Sequence, residues 1–429
     1  MKILFITFYF PPYNTIASVR TGKTARILTE LGFEVFVVAG KEEVLLTDLP
    51  VEIPKKNISY TEYFDFEERI LKLLGKDKKS MKEILHSGVE KSFAEKVVKK
   101  LFAAYKYIAY TPDKHIGWYY PAKKKAEEII ANWRPDLIYA SAMPYTSLMI
   151  GASLSKKYNI PFIAELRDLW FDNHYVRHNF ISRILENKTL NQSSAIITVS
   201  EPLVEKLKRR YNKPVFEIRN GFDEEDFTFD ITLGILERER QKENEKVIIT
   251  YTGSLYSGKQ DPSKLFEAIA GQEYLKSKVM CKFYGDNLWW VKELAEKYSV
   301  QNNVEVHERI GRQESLKIQA RSDILLLVTW NDPKERGVYT GKLFEYIGNA
   351  KPILAIGNTD NVAAKLINDY GFGVATNETK DIKQFIANCE KRSFLETIAS
   401  NYEKHRHLFS RRTQVKKLAD IFALINNSQ

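Results

Sequence analysis

The chain is poor in cysteine: Cys281 and Cys389 are the only two in 429 residues. They are too few and too far apart for a disulfide framework, a zinc site or a redox pair, so a reducing cytoplasm is the expected setting. No run approaches the roughly 20 apolar residues that a membrane-spanning helix requires, so any membrane contact is expected to be peripheral, on the inner face of the cell membrane. The apolar opening Ile3 to Phe10 lacks the length of a signal peptide and runs into Pro11 and Pro12 at once. It reads as a buried first strand. No Gly-x-Gly-x-x-Gly follows that strand, which argues against a nicotinamide-dependent oxidoreductase. Zinc spacing, an RNA-recognition aromatic signature and a helix-turn-helix pattern are all missing, and nucleic acid is not expected as a partner.

What is present is an ordinary globular composition. Hydrophobic residues make up 44% and charged residues 28%, enough to build real cores, and the length calls for two domains or three. The formal net charge of +10 suits anionic partners, whether phosphorylated small molecules or an anionic membrane surface.

Short apolar runs alternate with amphipathic helical stretches, the pattern of buried parallel strands joined by crossover helices. Strands are predicted at Lys2 to Phe8, Glu34 to Ala39, Asp136 to Ala140, Pro161 to Glu165, Ala195 to Ser200 and Val215 to Arg219. A second set is predicted at Val247 to Thr252, Val279 to Tyr284, Val304 to Val306, Asp323 to Val328, Ile353 to Ile356 and Gly373 to Thr376. Each half thus reads as a doubly wound α/β domain. The stretch Glu237 to Lys246 is charge-dense with no apolar face, as a linker should be, and the domains are drawn as 1–228 and 229–404. Residues 405–429 return to helical periodicity through Val415, Leu418, Ile421, Phe422 and Ile425, and are expected to dock back on the first domain.

After Ala39 some 95 residues pass before the next predicted strand, too long for an ordinary crossover, so a helical insertion is placed at about 61–130. Within it Phe93, Val97, Leu101, Tyr105 and Ile108 recur at helical spacing among Lys96, Lys99, Lys100 and Lys106. Lys91 to Ile130 holds 9 Lys against 4 acidic residues, a local excess of +5. Such a basic amphipathic helix either packs its stripe on the first domain or lies on an anionic membrane.

The most informative segment is Gly337-Val-Tyr-Thr-Gly-Lys-Leu-Phe-Glu345, which continues to Leu354. It follows a predicted strand and a polar loop, so it should open a helix at a strand's carboxyl end. There the free backbone N–H groups and the positive end of the helix dipole suit a diphosphate. Gly341 would let backbone approach the ligand closely, and Glu345 would offer a carboxylate to ribose hydroxyls.

This segment resembles the donor-binding motif of the retaining glycosyltransferases of family 4, which have the GT-B fold. That motif is Glu-x7-Glu followed by Ala-x-Gly-x-Pro-Val/Ile. Glu345, Lys351, Pro352 and Ile353 match its second part, while Gly337 replaces the first Glu. Other stretches fall in the family's order: Pro11-Pro12, Arg20, Leu31 to Val35, Val199-Ser200-Glu201 and Asn220-Gly-Phe-Asp223 with Phe227. Tyr251 to Lys259 looks like the family's phosphate clamp, with Lys259 at the lysine position and Ser254 where the companion arginine would stand; either Lys342 substitutes for that arginine or the clamp is weaker.

The resemblance implies two doubly wound Rossmann-like domains facing a central cleft. It implies donor binding by Gly253, Ser254, Lys259, Gly285, Arg309, Ile310, Gly337, Tyr339, Thr340, Gly341, Lys342 and Glu345. Catalytic roles would fall to Lys259 and, where the family often carries a histidine, to Arg167 or Asp168. Thr15 and Arg20 would lie on the acceptor side. The implied reaction is transfer from a nucleotide-diphosphate sugar, UDP-linked, to an acceptor hydroxyl with retention. No cofactor or metal is implied, and the sequence has no Asp-x-Asp motif. The insertion helix and the cluster Arg406, Arg411, Arg412, Lys416 and Lys417 point to a lipid-linked acceptor in cell-surface polysaccharide, O-antigen or glycolipid assembly. A non-catalytic GT-B protein that binds sugar nucleotides or serves as a partner subunit is the competing reading, motivated by the missing Glu, Arg and His.

Overall fold

A computed structural model describes residues 1–42, 45–64, 110–173, 179–227, 246–334 and 336–427. The basic stretch Phe93 to Ile108, the linker up to Glu245, and His174 and His178 lie outside the described residues.

Two compact units are formed: Met1–Ile218 with Val415–Gln429, and Arg219–Gln414. The first is built on seven parallel strands: β1 (Lys2–Ile6), β2 (Glu34–Gly40), β3 (Ile58–Thr61), β4 (Leu137–Ala142), β5 (Phe162–Leu166), β6 (Ala195–Thr198) and β7 (Val215–Glu217), in the order β3-β2-β1-β4-β5-β6-β7. The second has six: β8 (Val247–Thr252), β9 (Val279–Tyr284), β10 (Val304–His307), β11 (Ile324–Val328), β12 (Ile353–Ile356) and β13 (Gly373–Ala375), in the order β10-β9-β8-β11-β12-β13.

In each sheet the strand order reverses once, between β1 and β4 and between β8 and β11. A doubly wound sheet leaves its ligand crevice at the carboxyl ends of the strands at that reversal.

Both faces of each sheet are covered, which is why the strands read as continuous apolar runs. In the first unit Leu4 and Ile6 pack with Trp118, Leu148 and Phe162 on one face. Ile3 and Phe5 pack on the other with Ile27, Leu28 and the last helix through Val415, Leu418 and Phe422. In the second unit Ile249 and Leu326 join Phe266 and Phe283, while Leu325 and Leu327 face Phe344, Ile347 and Phe409.

The division of the chain falls at Ile218, ahead of the expected 228, for a packing reason. Phe222 and Phe227 are buried in the second unit beside Phe344 and Ile347. Arg411 closes the same turn by bonding Asp223 (3.1 Å), Asn220 (3.0 Å) and the carbonyl of Gly221 (2.7 Å). The returning segment accordingly begins at Val415 instead of 405. Two members of the cationic cluster are turned inward: Arg411 is buried, and Arg406 lies 4.8 Å over the Phe222 ring while bonding the Gly348 carbonyl.

Strand β3 falls just ahead of the expected insertion, where no strand was predicted, and the insertion's described part ends in the helix Tyr119–Trp133. Among the described residues no helix is long and apolar enough to cross a membrane.

Candidate functional site

The second unit gathers most of the predicted residues at the reversal between β8 and β11. Strand β8 ends at Tyr251 and Thr252, and the chain leaves it through Gly253 at φ +108, a backbone region that suits glycine. Strand β11 ends at Val328, and its loop leads to the helix Gly341–Asn349. The two loops are tied together: Asn331 N–H donates to the Lys259 carbonyl (3.0 Å), and the Gln260 amide donates to the Val328 carbonyl (2.7 Å).

Lys342, in the helix's first turn, reaches back across this reversal. Its Nζ donates to the Tyr251 hydroxyl (2.5 Å) and lies 3.4 Å from the Ser254 carbonyl, 4.3 Å above the Tyr251 ring. A Cβ on Gly253 would come within 2.5 Å of Lys342 Cε, so the glycine also makes room for this side chain. Burial pushes the Lys342 ammonium down to about 8, with the Glu345 charge pulling the other way. Lys342 therefore stands beside Ser254, at the place where the sequence lacks the arginine.

Lys259 is exposed, with Nζ 4.3 Å over the Trp330 ring. Neither lysine meets a carboxylate within ion-pair distance among the described residues.

Thr340 is the N-cap of the helix, yet its hydroxyl makes no cap bond and its Oγ1 is buried without a hydrogen-bond partner. Glu345 stands one turn on, 3.9 Å from Arg312 Nε and 3.4 Å from the Gln319 amide. Burial raises its carboxyl, with Arg312, Gln319 and Lys342 opposing. Arg312 in turn bonds Asp226 at 2.8 Å. Its own burial disfavours the charge, but Asp226 and Glu345 outweigh that and raise it. Gly285 abuts the Gly253 carbonyl so closely that a Cβ would clash, which brings the ends of β8 and β9 into contact.

Other predicted residues are less engaged. Gly337 is buried, and Tyr339 packs its ring 5.6 Å from Phe344. Arg309 is exposed and 3.5 Å from Asp286, and Ile310 is half-buried beside it. Sequence reasoning did not single out Gln319, Arg312, Tyr251 or Asn349. Gln319 links Thr252 (2.9 Å) to Asn349 (2.8 Å), and so fixes the face that carries Glu345.

In the first unit, Arg20 is buried and bonded to Glu165 (2.6 Å) and the Ile218 carbonyl (3.1 Å). These bonds tie its guanidinium to β5 and to the residue that follows β7. Ser141 completes the network at 2.5 Å from Glu165. Burial opposes the Glu165 charge, but Arg20, Arg167 and Ser141 outweigh it and hold the carboxyl below its ordinary range. Arg167 donates to the carbonyls of Ala142 (2.6 Å) and Met143 (3.4 Å), which orients it at the end of β5 beside the sheet's reversal. Asp168 is half-buried, and that burial raises its carboxyl against the pull of Arg167. Thr15 caps the helix Ile16–Glu30 by accepting from Ser18 N–H at 3.0 Å. Asp113 was missed by sequence reasoning; it holds the start of the helix Thr146–Tyr158 through Thr146 N–H and Oγ1, both at 3.0 Å.

Among the described residues no group of three His, Cys, Asp or Glu could hold a metal ion.

A family model described as Glycosyltransferase Family 4 matches residues 83–226. No curated protein matches the sequence. Among solved structures, HepE of Anabaena in complex with UDP aligns over 99% of this chain and 100% of its own, at 16% identity and TM-score 0.63. A sucrose-phosphate synthase from Thermosynechococcus elongatus aligns over 100% of both chains at 12% identity and TM-score 0.63. WaaG, a glycosyltransferase involved in lipopolysaccharide biosynthesis, aligns over 98% of this chain and 99% of its own at 12% identity and TM-score 0.54. At these identities the likeness establishes the fold, the two-sheet α/β architecture of GT-B glycosyltransferases expected from the sequence.

Proposed function

We propose that the chain is a retaining glycosyltransferase that moves a sugar from a UDP-linked donor to an acceptor hydroxyl. The observation that carries this reading is the pair of lysines at the reversal of the second sheet. Lys259, on the loop after β8, and Lys342, in the first turn of the helix Gly341–Asn349, have no carboxylate within ion-pair distance among the described residues. An uncapped helix start with two such cations fits the negative charge that builds on a departing diphosphate, the main electrostatic demand of this chemistry. Glu345, held by Arg312 and Gln319, is assigned to the ribose hydroxyls. The reading gives the electrostatic task to side chains and the helix dipole, so no resident metal is assigned. HepE was also solved with UDP-glucose, which supports a UDP-linked donor.

In the first unit Arg167 and Asp168, at the end of β5, are assigned the catalytic roles, and Thr15 the acceptor side. Arg20 becomes a scaffold residue that sets Glu165. The acceptor proposed is a lipid-linked saccharide reached at an anionic inner membrane surface, on the strength of the +5 excess over Lys91 to Ile130. Co-sedimentation with anionic vesicles at low salt should show binding; its absence sinks the membrane part.

Nucleotide release from a panel of UDP-sugars with saccharide acceptors tests the activity. Binding of donor without release from any of them would favour the non-catalytic alternative, which the replacements Gly337 and Ser254 motivate. Absence of any nucleotide binding would end both readings.

A further inference from the structure

The position of Lys342 is unusual for a surface cation. Its ammonium is held by neutral oxygens, the Tyr251 hydroxyl and the Ser254 carbonyl, and packed on the Tyr251 ring. The charged and titratable groups around it are few. From its own helix come Glu345 and Tyr346; from β8 comes Tyr251, whose hydroxyl burial holds well above its ordinary range. Tyr256 lies on the loop after β8, and Arg312 stands beyond Glu345, where it draws on that carboxylate along with Asp226.

We propose that Lys342 supplies the second cation for the donor diphosphate and that, in alkaline solution, it takes up its proton as the donor binds. This inference rests on the donor-site reading above. The physical cause is the ligand's own charge: without it, burial beside neutral oxygens disfavours the ammonium, while a diphosphate at the helix start restores a strong preference for it. The proton comes from solvent buffer and is bound at Nζ; no covalent step is involved. Since burial sets the unliganded group at about 8, donor affinity should fall as pH rises through that value. A group of this kind weakens binding about tenfold between pH 7 and pH 9.

The test is titration calorimetry with UDP-glucose, whose diphosphate diester does not itself titrate in this range, in two buffers of different ionisation heat at pH 8.5. The expected result is uptake of about 0.7 proton per donor bound. Lys342→Met should lower affinity by ~tenfold or more and bring uptake near zero. If the methionine variant fails to fold, Lys342→Arg serves, because a guanidinium stays protonated at this pH and uptake should again vanish. Tight binding by the wild type with no proton uptake, or equal uptake by wild type and variant, overturns the role of Lys342 alone. Failure of both UDP-glucose and UDP to bind at pH 7 overturns the donor-site reading, and this inference with it.

Discussion

The two units treat the charged side chains around their sheets in opposite ways. In the first, Arg20, Glu165 and Ser141 are buried and bonded to one another, and Arg167 is bonded to the backbone carbonyls of Ala142 and Met143. In the second, Lys259 lies over an indole ring and Lys342 under neutral oxygens, each without a carboxylate partner among the described residues. A charge satisfied by protein contributes structure; a charge left with weak partners retains electrostatic attraction for a ligand. On the function proposed above, the contrast gives a stabilising task to the first network and a binding task to the second.

The largest expected effect breaks the contrast at its structural end. Glu165→Ala leaves the guanidinium of Arg20 buried without its partner and should cost ~3–5 kcal/mol in urea unfolding of the full chain. A variant as stable as the wild type would remove the distinction between the units. Next, Lys259→Ala should lower kcat by ~100-fold while changing unfolding free energy by less than about 1 kcal/mol, because the side chain is exposed. Steady-state rates and a denaturant titration on the same sample decide it; a stability loss with unchanged rates would place Lys259 with the structural charges. Glu345→Ala should raise KM for the donor by ~tenfold, the loss of hydrogen bonds from a charged group, and an unchanged KM would deny it the ribose. Arg309→Ala sharpens the comparison from below. Its side chain is 77% exposed and its ion pair with Asp286 is 3.5 Å long, so less than about a twofold change in donor affinity is expected in direct binding assays.

The strands were legible wherever the sheet buries both faces. Ile324–Val328 is an uninterrupted Ile-Leu-Leu-Leu-Val run and Leu137–Ala142 is wholly buried, so both announce themselves by composition. Ile58–Thr61 does not: Ile-Ser-Tyr-Thr is short, has no buried residue and stands at the sheet's edge, where the apolar signal fades. The boundary near 228 was misplaced because Asn220 to Phe227 reads locally as a turn, while its packing partners Phe344 and Phe409 lie more than a hundred residues on.

The same limit governed the site. Gly341, Lys342 and Glu345 could be found because the helix start puts them in sequence order. The support of Glu345 by Gln319 and Arg312 could not, since it arrives from another helix. Arg20 was placed on the acceptor side by its place in the family's opening; its bond to Glu165, 145 residues away, was not visible in the sequence.

The missing side chain of Gly253 carries a consequence for how this protein drifts in sequence. Any other residue there would push against the Lys342 stem, at a backbone angle that side chains rarely adopt. A change at position 253 is strained by the φ of +108 alone, and it would also turn the Lys342 ammonium away from the Tyr251 hydroxyl, so a substitution at one position is felt at the other.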